Sequence, residues 1–240
     1  MRGLFQSSSL AHSGVPYLDF LSFLSTELRP GSYFEVGTNT GLSLQQFTCD
    51  SVCVDPSFRI SVNALRGKRA IFFFQMGADE FFADYNLRSF LRAGPDITFL
   101  DGMHRFEYLL RDFMNTEASC HHRSSIILHD CLPDSVEMVE RYSANQINWA
   151  GDVWKMVRII EKYRPEMRVF FLDCPPTGLV VCTGLDARST VLKNNYFKII
   201  DEYSTMQIDA NGLAELRKVY LMVDTKQIIL SHSDITLLFA

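Results

Sequence analysis

The sequence predicts an α/β protein built on a mainly parallel sheet, and three observations carry that expectation. Apolar runs of strand length alternate with segments of helical period, the pattern of a sheet flanked by helices. Four of the first five strand-like runs end in an acid (Glu35, Asp55, Asp101 and Asp130), and the remaining one has Asp79 four residues past its end. The first run, Ser32-Tyr-Phe-Glu-Val36, passes through a turn with glycines at Gly37 and Gly41 straight into Leu42–Phe47. Such a turn lets backbone approach a ligand closely.

The elements follow in order. Tyr17–Leu28 has helical period and is stopped by Arg29-Pro-Gly31. Tyr33–Val36 is the first strand and Leu42–Phe47 a short helix. Ser51–Val54, ending at Asp55-Pro56, is the second strand, and Ala70–Gln75 the third, followed by Met76-Gly-Ala-Asp79 and a helical stretch. Asp96–Leu100 is the fourth, Phe106–Thr116 a helix, and Ser125–Leu128 the fifth strand, running into His129-Asp130. Gly151–Tyr163 is amphipathic, with Val153, Met156, Val157 and Ile160 on one side. Arg168–Leu172 and Gly178–Thr183 read as a hairpin. Beyond Asp186 the pattern loosens: helices are expected at Tyr196–Tyr203 and Leu213–Val223, and a strand at Gln227–Leu230.

The bulk composition narrows the function classes. A hydrophobic share of 47%, a charged share of 21% and 240 residues suit one globular domain. The net charge of −5 gives no electrostatic reason to expect nucleic acid or an acidic membrane as partner. No run reaches the ~18 apolar residues of a membrane span, and Met1–Ser9 lacks the apolar core of a signal peptide. Cys49, Cys53, Cys120, Cys131, Cys174 and Cys182 form no Cys-x-x-Cys pair and lie mostly in apolar runs, as buried reduced thiols do. A cytoplasmic protein is the default expectation.

Ligands of open α/β sheets bind beyond the carboxyl ends of the strands, where the row of acids falls. The spacing Glu35-x-Gly37-x-x-x-Gly41 differs from the Gly-x-Gly-x-x-Gly of a pyrophosphate site. An acid so near the turn repels phosphate and suits a ligand with an ammonium group. Asp55, at the end of the second strand, is placed to accept from two ribose hydroxyls. Asp101 and Asp130, on adjacent strand ends, suit a hard divalent cation. His104, three residues past Asp101, is a candidate base, with an ordinary pKa near 6.5. Structural alternatives stand beside these: Asp101 as a helix cap, His129 as a satisfied core histidine, His121-His122 as a solvated loop. Trp149 and Trp154 are alternatives for a pocket wall, with Trp154 equally suited to packing its helix and Asp152 to serving that helix's N-terminus.

Three segments in this order, Glu35–Gly41, Asp101-Gly-Met-His-Arg-Phe-Glu107 continuing to Leu110-Arg-Asp112, and Ile127-Leu-His-Asp-Cys-Leu-Pro133, resemble the class I S-adenosylmethionine-dependent methyltransferases. The Gly151–Lys155 run is similar to the same branch, which includes O-methyltransferases of sugars, catechols and antibiotics. The resemblance covers roughly residues 30 to 185. It implies a Rossmann-like methyltransferase fold with a mostly parallel seven-stranded sheet, helices on both faces and a C-terminal appendage. It further implies that Glu35, Gly37, Asn39 and Gly41 line the methionine end of S-adenosylmethionine, that Asp55 holds the ribose, and that Gly77, Ala78 and Asp79 lie along the adenine. Asp101 and His104 would be catalytic, Asp101 also touching the cofactor, and Asp101 and Asp130 would bind Mg2+. Cys131, following the second acid, is a poor magnesium ligand, so a third ligand would be His129, His104 or water.

The expected organisation is an N-terminal helical segment at 1–30, a cofactor-binding domain at 31–185 and a C-terminal extension at 186–240. The expected function is O-methylation of a hydroxyl on a small molecule. The alternative is a methyltransferase-fold binding or assembly protein without catalysis, with the tail as a homo-oligomerisation element. The N-terminal dozen residues and the tail are the expected substrate lid.

Overall fold

The computed structural model describes residues 11–142, 149–231, 235 and 239; of the expected lid, residues 1–10 lie outside the described residues. The elements are α1 (Tyr17–Leu28), β1 (Ser32–Val36), β2 (Asp50–Val54), β3 (Ile71–Phe74), α2 (Ala78–Asp84), β4 (Ile97–Leu100), α3 (Phe106–Glu117), β5 (Ser125–His129), α4 (Lys155–Tyr163), β6 (Arg168–Leu172), β7 (Leu179–Thr183), α5 (Val191–Asn194), α6 (Tyr196–Tyr203), α7 (Ala210–Val219), β8 (Met222–Val223) and α8 (Thr225–Ser231). The strands form one sheet in the order β3-β2-β1-β4-β5-β7-β6-β8. β1 to β5 run parallel to one another, while β7 runs antiparallel to both β5 and β6. The strand order reverses between β1 and β4, which makes their carboxyl ends the switch point of the sheet.

The sheet has eight strands, one more than the seven expected. Met222–Val223 adds to the free edge of β6, pairing with Phe171 and Leu172. This strand occupies the end of the expected helix Leu213–Val223, which instead stops at Val219. Gln227–Leu230 is helical, not extended. Asp224 is the reason: its side chain accepts from the N–H of Lys226 at 2.9 Å, starting α8 as a capping acid does. The expected helix Leu42–Phe47 is a single 3-10 turn, Leu44–Gln46. A three-residue period puts Leu44 and Phe47 on one side, and both are fully buried.

Alternate residues along each strand face opposite layers. Phe34, Val36, Val52, Val54, Leu100, Ile126 and Leu128 meet α2, α3, α4, α6 and α7 on one face. Tyr33, Cys53, Ile97, Phe99 and Ile127 meet α1 and α8 on the other. The six cysteines are free thiols, five of them buried. Among the described residues no helix is long and apolar enough to cross a membrane.

A buried ion pair ties the chain's second half to α3. Arg164, just past α4, grips Glu117 at the end of α3 with two hydrogen bonds of 2.6 and 2.9 Å, and Glu117 also accepts from the N–H of Asp186. Arg164 and Glu117 are 1% and 4% exposed, and Glu117 without Arg164 would be an uncompensated buried charge. Arg164→Ala is expected to lower unfolding free energy by about 3–5 kcal/mol, measured by chemical denaturation.

Candidate functional site

At the carboxyl edge of the sheet a cavity of about 760 Å3 opens at the switch point, lined by Gly37 and Asn39 after β1, Asp55 after β2, Gly77–Asp79 at the start of α2, Asp101–His104 after β4, Tyr108 and Asp112 on α3, and Trp149. The turn after β1 is held against its neighbours: the Gly37 N–H bonds the carbonyl of Val54 at 2.9 Å. A Cβ at Gly37 would stand 1.9 Å from the carbonyl oxygen of Asp101, and its φ is +89°, so only glycine lets β1 and β4 deliver their ends this close.

The sequence-selected acids have separate fates. Asp55 lines the cavity and accepts from the N–H groups of Asn39 and Ser57, each at 2.7 Å. Asp79 also lines it, but both its oxygens take the Arg111 guanidinium at 2.8 Å. Glu35 and Gly41 are not among the lining residues. Glu35 lies fully buried beneath the turn, accepting from the hydroxyls of Tyr33 (2.9 Å) and Ser43. Burial pushes its carboxyl up to about 7, against hydrogen bonds from Ser43, Tyr33 and Thr38. His121 lies at the other end of the strands, bonded to Asp96 at 2.9 Å.

Asp101, His104, Asp130 and His129 form one cluster. His104 Nδ1 lies 2.7 Å from the carbonyl of Trp149; a carbonyl only accepts, so Nδ1 carries a proton. His104 Nε2 is then 3.3 Å from Asp101 and 3.2 Å from Asp130. A lone pair between two carboxylates is electrostatically untenable, so a positive charge belongs at this point. In the protein alone that charge is a second proton. Burial disfavours it, but the hydrogen bond with Asp101 and the charges of Asp130 and Asp101 outweigh burial and push the His104 pKa up to about 9. His129 is likewise raised, burial being overcome by Asp130 and Asp101. Asp101 is held below the usual carboxylate range, its burial offset by His129 and His104. Asp101, His104 and Asp130 each offer a ligand atom, all within 4.8 Å of one another, a set that fits a divalent cation in chemistry and reach. Cys131 is turned away, donating to the carbonyl of Val153.

The flanking loops fix this cluster. A Cβ at Gly151 would stand 1.8 Å from the carbonyl oxygen of His104, and Gly151 has φ of +59°; the loop can cross His104 only there. Trp149, the tryptophan that walls the cavity, lies against His104 with ring centres 5.1 Å apart. Trp154 is buried in the core. Asp152 serves α3 and not α4: it accepts from the Phe106 N–H at 2.9 Å and pairs with buried Lys155.

Sequence reasoning missed Tyr17, Tyr108 and Asp112. The Tyr17 ring lies 4.4 Å from that of His129, a placement no local pattern foretells. Asp112 carries a visible signal, an acid three residues after Leu109 on the apolar face of α3.

No protein-family model matches the chain, and no curated protein does. Solved structures do. Cofactor-bound Rv0187 from MTB superposes with a TM-score of 0.54 at 10% identity, covering 70% of this chain and 79% of that one. An O-methyltransferase from Bacillus cereus in complex with SAH gives 0.52 at 14%, covering 72% and 83%. The O-methyltransferase TomG from Streptomyces achromogenes in complex with SAM gives 0.51 at 11%, covering 78% and 84%. The likeness establishes the fold: this chain carries the Rossmann-like α/β architecture of these three structures.

The charge cluster has a consequence for stability. A His104 pKa raised from 6.5 to about 9 adds stability that is fully present below about pH 6.5 and is lost as pH rises through about 9. The melting temperature of chelator-treated protein is expected to fall across that window, with a shallower fall for His104→Gln. A flat profile in the wild type would show that the imidazole is not held between the carboxylates.

Proposed function

We propose that the protein is an S-adenosylmethionine-dependent methyltransferase that methylates a hydroxyl on a small molecule of sugar or natural-product type. The observation that carries this reading is one cavity joining a glycine turn and strand-end carboxylate to a histidine held between two aspartates. Its volume lies in the range of small-molecule sites.

S-adenosylmethionine, when bound, supplies a methyl carbon activated by a sulfonium. The residues of this chain align it and manage the acceptor's proton. Asp55, oriented by two backbone N–H groups, has lone pairs left for the ribose hydroxyls. Gly37 and Asn39 border the methionine end, with Glu35 beneath it, and Gly41 shapes the turn. Gly77 and Ala78 border the adenine, and Asp79, clamped by Arg111, forms part of that wall. Trp149 closes the acceptor side against His104.

As an imidazolium, His104 cannot take a proton from an acceptor hydroxyl at neutral pH. Asp101 and Asp130 would hold a divalent cation, with Mg2+ the hard-ion choice for two carboxylates. A cation there lowers the pKa of a nearby hydroxyl. Were Asp101 and Asp130 to hold a cation as their counter-charge, Nε2 of His104, whose Nδ1 proton is fixed on the Trp149 carbonyl, would be free to accept the hydroxyl's proton.

Three outcomes are expected. Asp55→Ala weakens S-adenosylhomocysteine binding by about 1–3 kcal/mol, read by calorimetry; unchanged affinity would remove the ribose role. His104→Ala abolishes methyl transfer to a panel of sugar and catechol hydroxyls while leaving S-adenosylhomocysteine affinity near wild type. Chelation suppresses turnover at neutral pH and Mg2+ restores it; a rate indifferent to metal would leave Asp101 and Asp130 without a cation to hold.

A further inference from the structure

We propose that Asp112 is a specificity residue for the nucleobase, accepting a hydrogen bond from its exocyclic amine. The proposal rests on reading the cavity as a nucleoside site. It starts from an asymmetry among the acids there. Asp55 is satisfied by two backbone N–H groups, Asp79 by Arg111, and Asp101 by two histidines. Asp112 also borders the cavity, is only 4% exposed, and accepts no hydrogen bond from any described residue.

The charges around Asp112 do not supply what is missing. Arg111 is the neighbouring cation, but its guanidinium is committed to both oxygens of Asp79 and to the hydroxyl of Tyr196. Asp79 itself adds a repelling charge, and together with burial it pushes the Asp112 carboxyl up to about 7. The Asp112 carboxyl is not fully enclosed: it opens on the cavity, where a ligand can reach it. On the wall of a cavity, the natural source of the donor is the ligand.

The position selects which part of the ligand. Asp112 feels the charge of Asp79, in the first turn of α2, and one of its oxygens lies 3.3 Å from where a Cβ on Gly102 would stand. It therefore flanks the space between the start of α2 and the end of β4. With the ribose on Asp55 after β2, the base extends toward Gly77 and Ala78, along that same wall. The amino-acid end has Glu35 beneath its turn, and the acceptor side has the histidine cluster. An exocyclic amine, a neutral donor, meets a carboxyl oxygen whether that carboxyl is ionised or protonated.

The test is a cycle of two ligands and three proteins by calorimetry: S-adenosylhomocysteine and its 6-deamino analogue, against wild type, Asp112→Ala and Asp112→Asn. Wild type is expected to bind the deamino ligand about tenfold more weakly, the loss of one hydrogen bond to a buried acceptor. Asp112→Ala is expected to bind the two alike, and Asp112→Asn, which keeps an acceptor oxygen, to retain most of the preference. Unliganded Asp112→Ala should melt no lower than wild type, since it removes a carboxyl that burial and Asp79 hold against ionisation. Preference that survives in Asp112→Ala, or is absent from wild type, overturns the assignment. Wild type that binds both ligands equally loses only this assignment; wild type that binds neither loses the methyltransferase reading with it.

Discussion

Crowded carboxylates at one rim of a sheet are the constraint on which the rest of this structure turns. Glu35, Asp55, Asp112 and Asp130 are all at most 7% exposed, and isolated charges at such depth are prohibitive. The chain answers in three ways. Asp55 draws on the backbone of its own loops. Asp101 and Asp130 draw on protonated histidines, with a Thr177 hydroxyl donating to Asp130 at 2.6 Å. Glu35 and Asp112 shed charge, both being pushed up to about 7 by burial. The first device is rigid, while the second and third respond to whatever enters the cavity.

The scaffold around the rim serves that arrangement. α1 brings Tyr17 beneath the cluster, where its ring meets His129 and Phe99, and the Tyr17 N–H bonds the carbonyl of Pro175. The segment before α1 is fastened by His12, whose ring bonds Asp173 at 3.0 Å and the carbonyl of Leu132 at 2.7 Å. Val15 bonds Thr225 of α8. The N-terminal helix is thereby locked to the hairpin and the tail, and the histidine pair has a fixed wall on its buried side. His104, by contrast, is fixed from the acceptor side, through Trp149 and the loop crossing at Gly151.

Much of this was legible because it is local. Strand runs, their terminal acids and the glycine turn are each written in a few adjacent residues, and the α1 limits of Tyr17–Leu28 follow from period and the Arg29-Pro-Gly stop. The tail misled where a capping side chain overrode apolar pattern: Gln227–Leu230 looks extended, but Asp224 starts a helix there. The eighth strand is two residues long and exists only because β6 offers an edge. At the site, adjacency of Asp101, His104 and Asp130 was readable from strand ends, but the protonation of His104 was not. Its ordinary pKa suits a base; only the three-dimensional meeting of Nε2 with two carboxylates reverses that.

That reversal bears on how the proposed chemistry is balanced. Methyl transfer from a sulfonium to an alkoxide annihilates charge, and a dry, low-dielectric site favours annihilation. A cavity lined by bare carboxylates would instead hold the cationic donor in its ground state and raise the barrier. The counter-charges that the chain places around its acids work against this. In the protein alone, Asp101 and Asp130 face His104 and His129, whose pKa values those acids raise, and burial pushes the carboxyls of Glu35 and Asp112 up to about 7. The acids therefore contribute directional hydrogen bonds without a large net negative field. The same residues can gain charge when a cationic ligand approaches and lose it when the sulfonium becomes a neutral thioether.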